Sequence, residues 1–137
     1  MEIHNLFISG SRFITELKED AVNAIDKVVA THPELNHLVV GDANGVDTLI
    51  QKIIGGDVTV YATKRGVRNY VDKPDRVLAQ VGNSYTERDE HMTNICTVHL
   101  GYVTNKHPCR GTRANHSRAI QQGKTSYLYN VDTQSFE

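Results

Sequence analysis

At 137 residues the chain has the length of one domain, enough for a buried core and short for two independent ones. Fifteen Lys plus Arg stand against sixteen Asp plus Glu, a formal net charge of −1, so no overall basic field draws in nucleic acid and any anion site has to be local. Cys96 and Cys109 are too few for a disulfide framework and form no CxxC pair, and no stretch has the apolar run of a signal peptide or membrane span; the expectation is a soluble cytoplasmic protein with no membrane partner.

Residues 3–9, IHNLFIS, form a short apolar run that ends at Gly10-Ser11-Arg12. A helical pattern follows from about Thr15, a candidate N-cap, with Leu17, Ala21, Ala24, Ile25, Val28 and Val29 recurring at spacings of three and four. Strand, glycine turn and helix then repeat: residues 37–40 read HLVV, Gly41-Asp42-Ala43-Asn44-Gly45 makes the turn, and Val46, Leu49, Ile50, Ile53 and Ile54 mark the helix, which Gly55-Gly56 stops. Residues 58–61 alternate as a third strand. The polar stretch 62–84 has little periodicity and is longer than most connections in a compact domain, which points to a functional flap carrying Lys64, Arg65, Arg68, Lys73, Arg76 and Tyr70. A helix over 86–94, a strand over 97–100, a helix opening at Cys109-Arg110-Gly111-Thr112 and a strand over 126–129 complete the order, and a frayed tail follows Asn130. Alternation of this kind predicts an α/β Rossmann-like three-layer sandwich, a single domain over 1–137 with a mostly parallel sheet of about five strands.

Open parallel sheets bind ligands outside the carboxyl ends of their strands, where helix N-termini point free N–H groups at an anion. Three turns have that form: Gly10-Ser11-Arg12, Gly41 to Gly45, and Arg110-Gly111-Thr112-Arg113. Glycines in such turns serve backbone geometry whether or not anything binds. The side chains beside them say more, because Ser11, Arg12, Thr112 and Arg113 supply hydroxyls and guanidinium forks suited to phosphate. Asp42 accepts hydrogen bonds from ribose hydroxyls, caps the helix near Asn44, or holds Arg12. Asp47, one turn into that helix, is suited to orienting a neighbouring loop. Lys64, Arg65 and Arg68 are placed to close on phosphates with Tyr70 stacking on a base. A solvated charged face is the plain alternative for that stretch, and equally for Glu87 to Met92, where Arg88 and Met92 stand four residues apart. His91, His99, His107 and His116 form no zinc spacing, so no metal and no cofactor is assigned.

Taken in order, ISGSR at 8–12, GDANGVD at 41–47, ERDEHM at 87–92 and RGTRANHSRAIQQGK at 110–124 resemble the SLOG superfamily, which includes the YspA/YpsA-like proteins, the DNA-processing A (Smf) proteins and the Lonely Guy phosphoribohydrolases. The resemblance spans nearly the whole chain. It implies a Rossmann-like fold with a site for a nucleotide, nucleotide sugar or ADP-ribose-like ligand at Gly10, Ser11, Arg12, Gly41, Asp42, Gly45, Asp47, Arg88, Gly111 and Thr112. Arg88 matches the arginine that helps catalysis in the phosphoribohydrolases. Their catalytic glutamates, two and three residues beyond the GGxGT turn, are replaced by Ala114 and Asn115, and Cys109-Arg110 stands where a Gly pair is expected.

The missing carboxylates favour a binding protein that senses or sequesters an ADP-ribose-like or cyclic nucleotide signal without chemistry, as a phage or mobile element requires. The alternative is an enzyme that cleaves an N-glycosidic or phosphoester bond, with Asp42, Asp47 or Glu87 as relocated base and Arg88 and Thr112 holding phosphate. Nucleic-acid binding through the basic stretch from Lys64 to Arg76 ranks third, against the near-neutral charge. The apolar helix faces also allow a homodimer or higher oligomer.

Overall fold

The computed structural model describes residues 2–137. The chain runs β1 (Asn5–Gly10), α1 (Glu19–Thr31), β2 (His37–Gly41), α2 (Val46–Ile53), β3 (Val58–Ala62), β4 (Arg76–Gln80), α3 (Tyr85–Ile95), β5 (Cys96–Val103), α4 (Arg110–Gln121), β6 (Thr125–Asn130) and β7 (Ser135–Phe136). The strands form one sheet in the order β4-β3-β2-β1-β5-β6-β7, parallel throughout except for the β6–β7 pair.

Alternation along β1 assigns the layers. Leu6 and Ile8 point to one face, where they join Ala21, Ala24, Ile25 and Val28 of α1 and Val46 and Ile50 of α2 in the main core. Phe7 points to the other face, against Val39 and Met92 of α3. Beneath α4, Cys109 packs with Val103 and Leu128. The result is the α/β Rossmann-like sandwich read from the pattern, with helices on both faces. No helix among the described residues is long and apolar enough to cross a membrane.

The sheet has seven strands rather than about five. β4, whose short apolar run Val77-Leu78-Ala79 is enclosed in a polar stretch, is an edge strand with mostly exposed side chains, held to β3 by main-chain pairing. β7 is a two-residue pair on β6, so the end of the chain is tied down and not frayed. Its last residue, Glu137, accepts two hydrogen bonds from Arg113, at 2.9 and 3.1 Å.

Helix α1 begins at Glu19, with Lys18 as its N-cap, so Thr15 caps nothing. The segment before it first seats Ile14 in the core, and the acidic pair Glu19 and Asp20 then opens the helix at its positive end. Helix α3 starts one residue early because Ser84 accepts from the Glu87 amide at 3.1 Å while the Glu87 carboxylate accepts from the Asn83 amide at 2.6 Å, a reciprocal cap.

Within the stretch 62–84, residues 63–75 between β3 and β4 replace the usual crossover helix with a strapped loop. Gln51 is fully buried, donates to the Asn69 carbonyl at 3.1 Å and accepts from the Val71 amide at 2.8 Å. Arg76 donates to the carbonyls of Gln51, Val71 and Ile54 at 2.6–2.8 Å, and Lys73 to that of Lys52. Two of the cations that made the stretch look like a nucleic-acid or phosphate surface are therefore used on internal carbonyls.

Candidate functional site: a cleft at the switch point of the sheet

Strand order reverses direction at β1, whose neighbours β2 and β5 lead to opposite halves of the sheet, and a crevice opens there at the carboxyl ends of the strands. The cleft has a volume of about 550 Å³, in the range of small-molecule sites. It is lined by Ser9 and Gly10 at the end of β1 and Ser11, Arg12 and Phe13 after it, by Gly41, Ala43 and Asp47 around the second turn, by Arg68, by Tyr85, Arg88, Asp89 and Met92 of α3, and by residues 107–112 with Asn115 at the start of α4.

The first two turns lock into each other. The Ser11 carbonyl accepts from the Val46 amide at 3.2 Å, and the Ser11 hydroxyl accepts from the Phe13 amide at 3.1 Å. Gly45 has φ +79°, and a Cβ there would sit 2.4 Å from the Ser11 carbonyl oxygen, so only glycine fits. At Gly41 a Cβ would stand 2.6 Å from the Asp47 carboxylate and 3.0 Å from the Arg88 guanidinium. The small residue admits those two side chains to the cleft floor.

Between the second turn and α3 lies a buried ionic cluster. The Asp42 carboxylate is fully buried and accepts from Arg88 Nη1 at 2.6 Å, from Arg68 Nη2 at 3.0 Å and from the Arg68 amide at 2.8 Å. Arg88 also donates from Nε and Nη2 to Asp89 Oδ1 at 3.1 and 2.9 Å. Asp47 accepts from the Ala43 amide at 3.1 Å, which orients the turn as its place in the helix suggested. Burial raises the Asp47 carboxyl from 3.8 to about 7 against the opposing pull of Arg88. Three carboxylates thus share two guanidinium groups, and a proton on Asp47 makes the cluster neutral.

The third turn leaves backbone amides free at the start of α4. Cys109 caps α4 in the left-handed conformation, φ 52°, which a glycine adopts freely and which here replaces the expected Gly pair. The first bond of α4 runs from the Arg113 amide to the Cys109 carbonyl at 2.9 Å, which leaves the amides of Arg110, Gly111 and Thr112 without partners in the helix. A Cβ at Gly111 would meet nothing within 4 Å. Arg12 and Arg110 are exposed beside these amides in the wall of the cleft.

Three cation–aromatic pairs also line the cleft, the longest being Arg88 at 5.4 Å from the Tyr85 ring. Phe13 stacks on His107 with ring centroids 4.1 Å apart, and the Arg12 guanidinium lies 4.8 Å from the Phe13 ring. Arg68 lies 3.8 Å from the ring of half-exposed Tyr85.

Several of the residues singled out from sequence do not line the cleft, Lys64, Arg65 and Glu87 among them. Asp42 lies beneath it, binds Arg68 and Arg88 rather than Arg12, and makes no helix cap, since Gly45 caps α2 without a side-chain bond. Gly45 is enclosed by the first turn. Tyr70 packs against the main core, so it is not the stacking surface of a lid. Arg113 turns away to Glu137. Arg88 and Met92 are buried, which replaces the solvated-face alternative for that helix.

Sequence reasoning missed Phe13, Tyr85, Asp89, His107 and Asn115 as cleft residues. Only Asp89 and Asn115 carried a signal, the first through its place beside Arg88 and the second through its place in the third turn. Of the two positions where the phosphoribohydrolases have glutamates, Ala114 is exposed outside the cleft, while Asn115 is buried in its wall and donates to Asp89 at 3.4 Å. No protein-family model, curated protein or solved structure matches the chain.

Proposed function

We propose that the cleft captures a nucleotide-derived, phosphate-bearing small molecule of the ADP-ribose or cyclic-nucleotide kind, and that sensing or sequestering this molecule is the protein's role. One observation carries the reading: three unpartnered amides at the start of α4 converge with the exposed Arg12 and Arg110 on one crevice at the switch point of the sheet. The half-exposed faces of Phe13 and Tyr85 supply apolar area for a base or ribose. The motif order that resembles the SLOG superfamily points the same way. Assembly of several copies and a cytoplasmic setting belong to this proposal too.

A second reading, hydrolysis of an N-glycosidic or phosphoester bond, is favoured by Asp47. A cleft carboxyl held near 7 is matched to proton transfer at neutral pH, where an ordinary carboxylate is too weak a base.

The test is a thermal-shift screen against mononucleotides, NAD, ADP-ribose, its cyclised isomers and cyclic dinucleotides, each mixture then run on chromatography. A ligand at 100 times its Kd adds about 2.7 kcal/mol to stability, which is several degrees for a domain of this size. A shift with the ligand recovered intact supports capture. New products transfer the conclusion to hydrolysis, and no shift with any phosphate-bearing compound removes both.

A further inference from the structure

A continuous hydrogen-bonded chain runs from the cleft floor to the surface of the sheet's other end. Ser9, in the cleft lining at the carboxyl end of β1, has its hydroxyl 2.7 Å from His99 Nε2. His99 is fully buried on β5, with Phe7 packed at 5.0 Å between ring centroids, and its Nδ1 lies 2.8 Å from the Ser126 hydroxyl on β6. That hydroxyl lies 2.7 Å from Nδ1 of His116 on α4, which is partly exposed. The order of residues in space is Ser9, His99, Ser126, His116, although they come from four separate elements.

We propose that Ser9 is a nucleophile and that His99, Ser126 and His116 relay its proton away from the cleft, with a phosphoester as the substrate class. The inference rests on the reading of the cleft as a phosphate site and adds a reaction to capture.

The chemistry follows from the geometry. A serine hydroxyl is a weak nucleophile until a base within hydrogen-bond reach takes its proton, and a third group orients that base; His99 and Ser126 stand in those positions. A charged imidazolium at His99 is opposed by its burial and by the nearby His116 and Arg118, which hold its pKa down to about 3. The relay avoids that charge. With Ser9 donating to Nε2, Nδ1–H donating to Ser126 and Ser126 donating to His116, every group is satisfied; with all three bonds reversed, every group is satisfied again. Passing a proton along the chain therefore switches the His99 tautomer and places the positive charge on His116.

The reaction balances with water as the only co-reactant. Ser9 Oγ attacks phosphorus, the Oγ–P bond forms, the ester P–O bond breaks with its electron pair, and the leaving oxygen takes a proton from solvent at the open mouth. The serine proton passes to Nε2, the Nδ1 proton to Ser126, and the Ser126 proton to His116. Water then attacks the phosphoserine and gives one proton back to solvent while its oxygen stays on phosphorus, and the relay runs in reverse to restore the Ser9 hydroxyl. The start of α4, with Thr112 against Gly101 beside His99, supplies donors for the phosphoryl oxygens.

The test is labelling by a fluorophosphonate, which loses fluoride when a primed serine attacks its phosphorus, with the adduct located by mass spectrometry. The expected result is a single adduct on Ser9, lost in Ser9→Ala and slowed about 10- to 100-fold in Ser126→Ala, which leaves the Ser9–His99 contact in place. His116→Ala, at a partly exposed position on α4, is the second variant, with unchanged urea unfolding as the check that it folds. His116 has to be neutral to accept a proton; burial and then Arg113 on its own helix lower its pKa, while Glu137, the residue after β7, raises it. Labelling of the unaltered protein should therefore rise with pH through the titration of His116, and His116→Ala should abolish that rise. No adduct on Ser9, or an adduct whose rate ignores both Ser126→Ala and His116→Ala, overturns the proposal. A nucleotide thermal shift without Ser9 labelling leaves the capture reading standing and removes the nucleophile, and Ser9 labelling without any such shift does the opposite.

Discussion

Replacing Asp47 by Asn removes the carboxyl that burial holds near neutrality while keeping the shape and the oxygen that accepts from Ala43. The folded pKa, about 7, lies above the ordinary 3.8, so the folded chain keeps a proton that the unfolded chain has lost. Stability from this group is complete below about pH 4 and is lost as pH rises towards 7. At about 1.4 kcal/mol per unit the full loss is about 4 kcal/mol, of which roughly 2.5–3 kcal/mol falls between pH 5 and pH 8.

Asparagine does not titrate, so the variant should match the parent near pH 4 and exceed it at pH 8. Urea unfolding of both proteins at pH 5 and pH 8 measures the difference directly. A gap between variant and parent that stays constant within about 0.5 kcal/mol across that range would show that Asp47 is ionised in both states, and the neutral-cluster argument would fail.

Other outcomes follow from named contacts. Arg12→Ala should weaken a nucleotide ligand found in the screen by roughly 10- to 100-fold, the worth of a charge-assisted phosphate contact, whereas Tyr70→Ala should lower the melting temperature with affinity unchanged; calorimetric titration of both decides. Gly45→Ala forces a side chain into positive φ against the Ser11 carbonyl and should cost at least about 3 kcal/mol in urea unfolding, or prevent folding. Gly111→Ala, with open space around it, should leave stability within about 0.5 kcal/mol and weaken a ligand that approaches the backbone. His99 has a folded pKa of about 3 against 6.5, so the unfolded chain takes up its proton first and stability falls as pH drops below 6.5. His99→Gln should flatten that loss by roughly 2–3 kcal/mol between pH 6.5 and 4.5, measured by acid-series unfolding.

The mostly parallel sheet and the two helix layers were legible because the apolar runs of β1, β2, β3 and β5 are a local signal, and the glycine turns marked where the cleft would open. The edge strand β4 was harder to see because its apolar run, Val77-Leu78-Ala79, is short, lies within a polar stretch and is largely exposed instead of packed under a helix. Gly10, Gly41 and Gly45 pointed to the right place by a route the sequence does not reveal, since their neighbours Val46, Asp47 and Ser11 are set by how the first two turns interlock. Tyr70 and Tyr85 show the limit most directly. Both are tyrosines in polar surroundings near basic residues, and only the tertiary fold decides that Tyr70 enters the core while Tyr85 faces Arg68 in the cleft. The Ser9–His99 contact joins residues 90 apart and has no spacing signature at all.

The roles of the arginines separate once their partners are counted. Arg88 gives three of its five N–H groups to Asp42 and Asp89 and is buried, so two carboxylates already neutralise it before any ligand arrives. Pulling it towards a phosphate would break its bonds to Asp42 and Asp89 and leave Arg68 as the one guanidinium on the buried Asp42. Arg12 and Arg110 have no such tie and stand exposed in the wall, so under the proposed capture they and the α4 amides are the groups an anion would meet. Arg88 instead fixes shape. Through Asp42, which also holds the Arg68 amide and side chain, it ties the cleft floor to the strapped loop over 63–75, so the wall that carries Arg68 and Tyr85 is already in place when the cleft is empty.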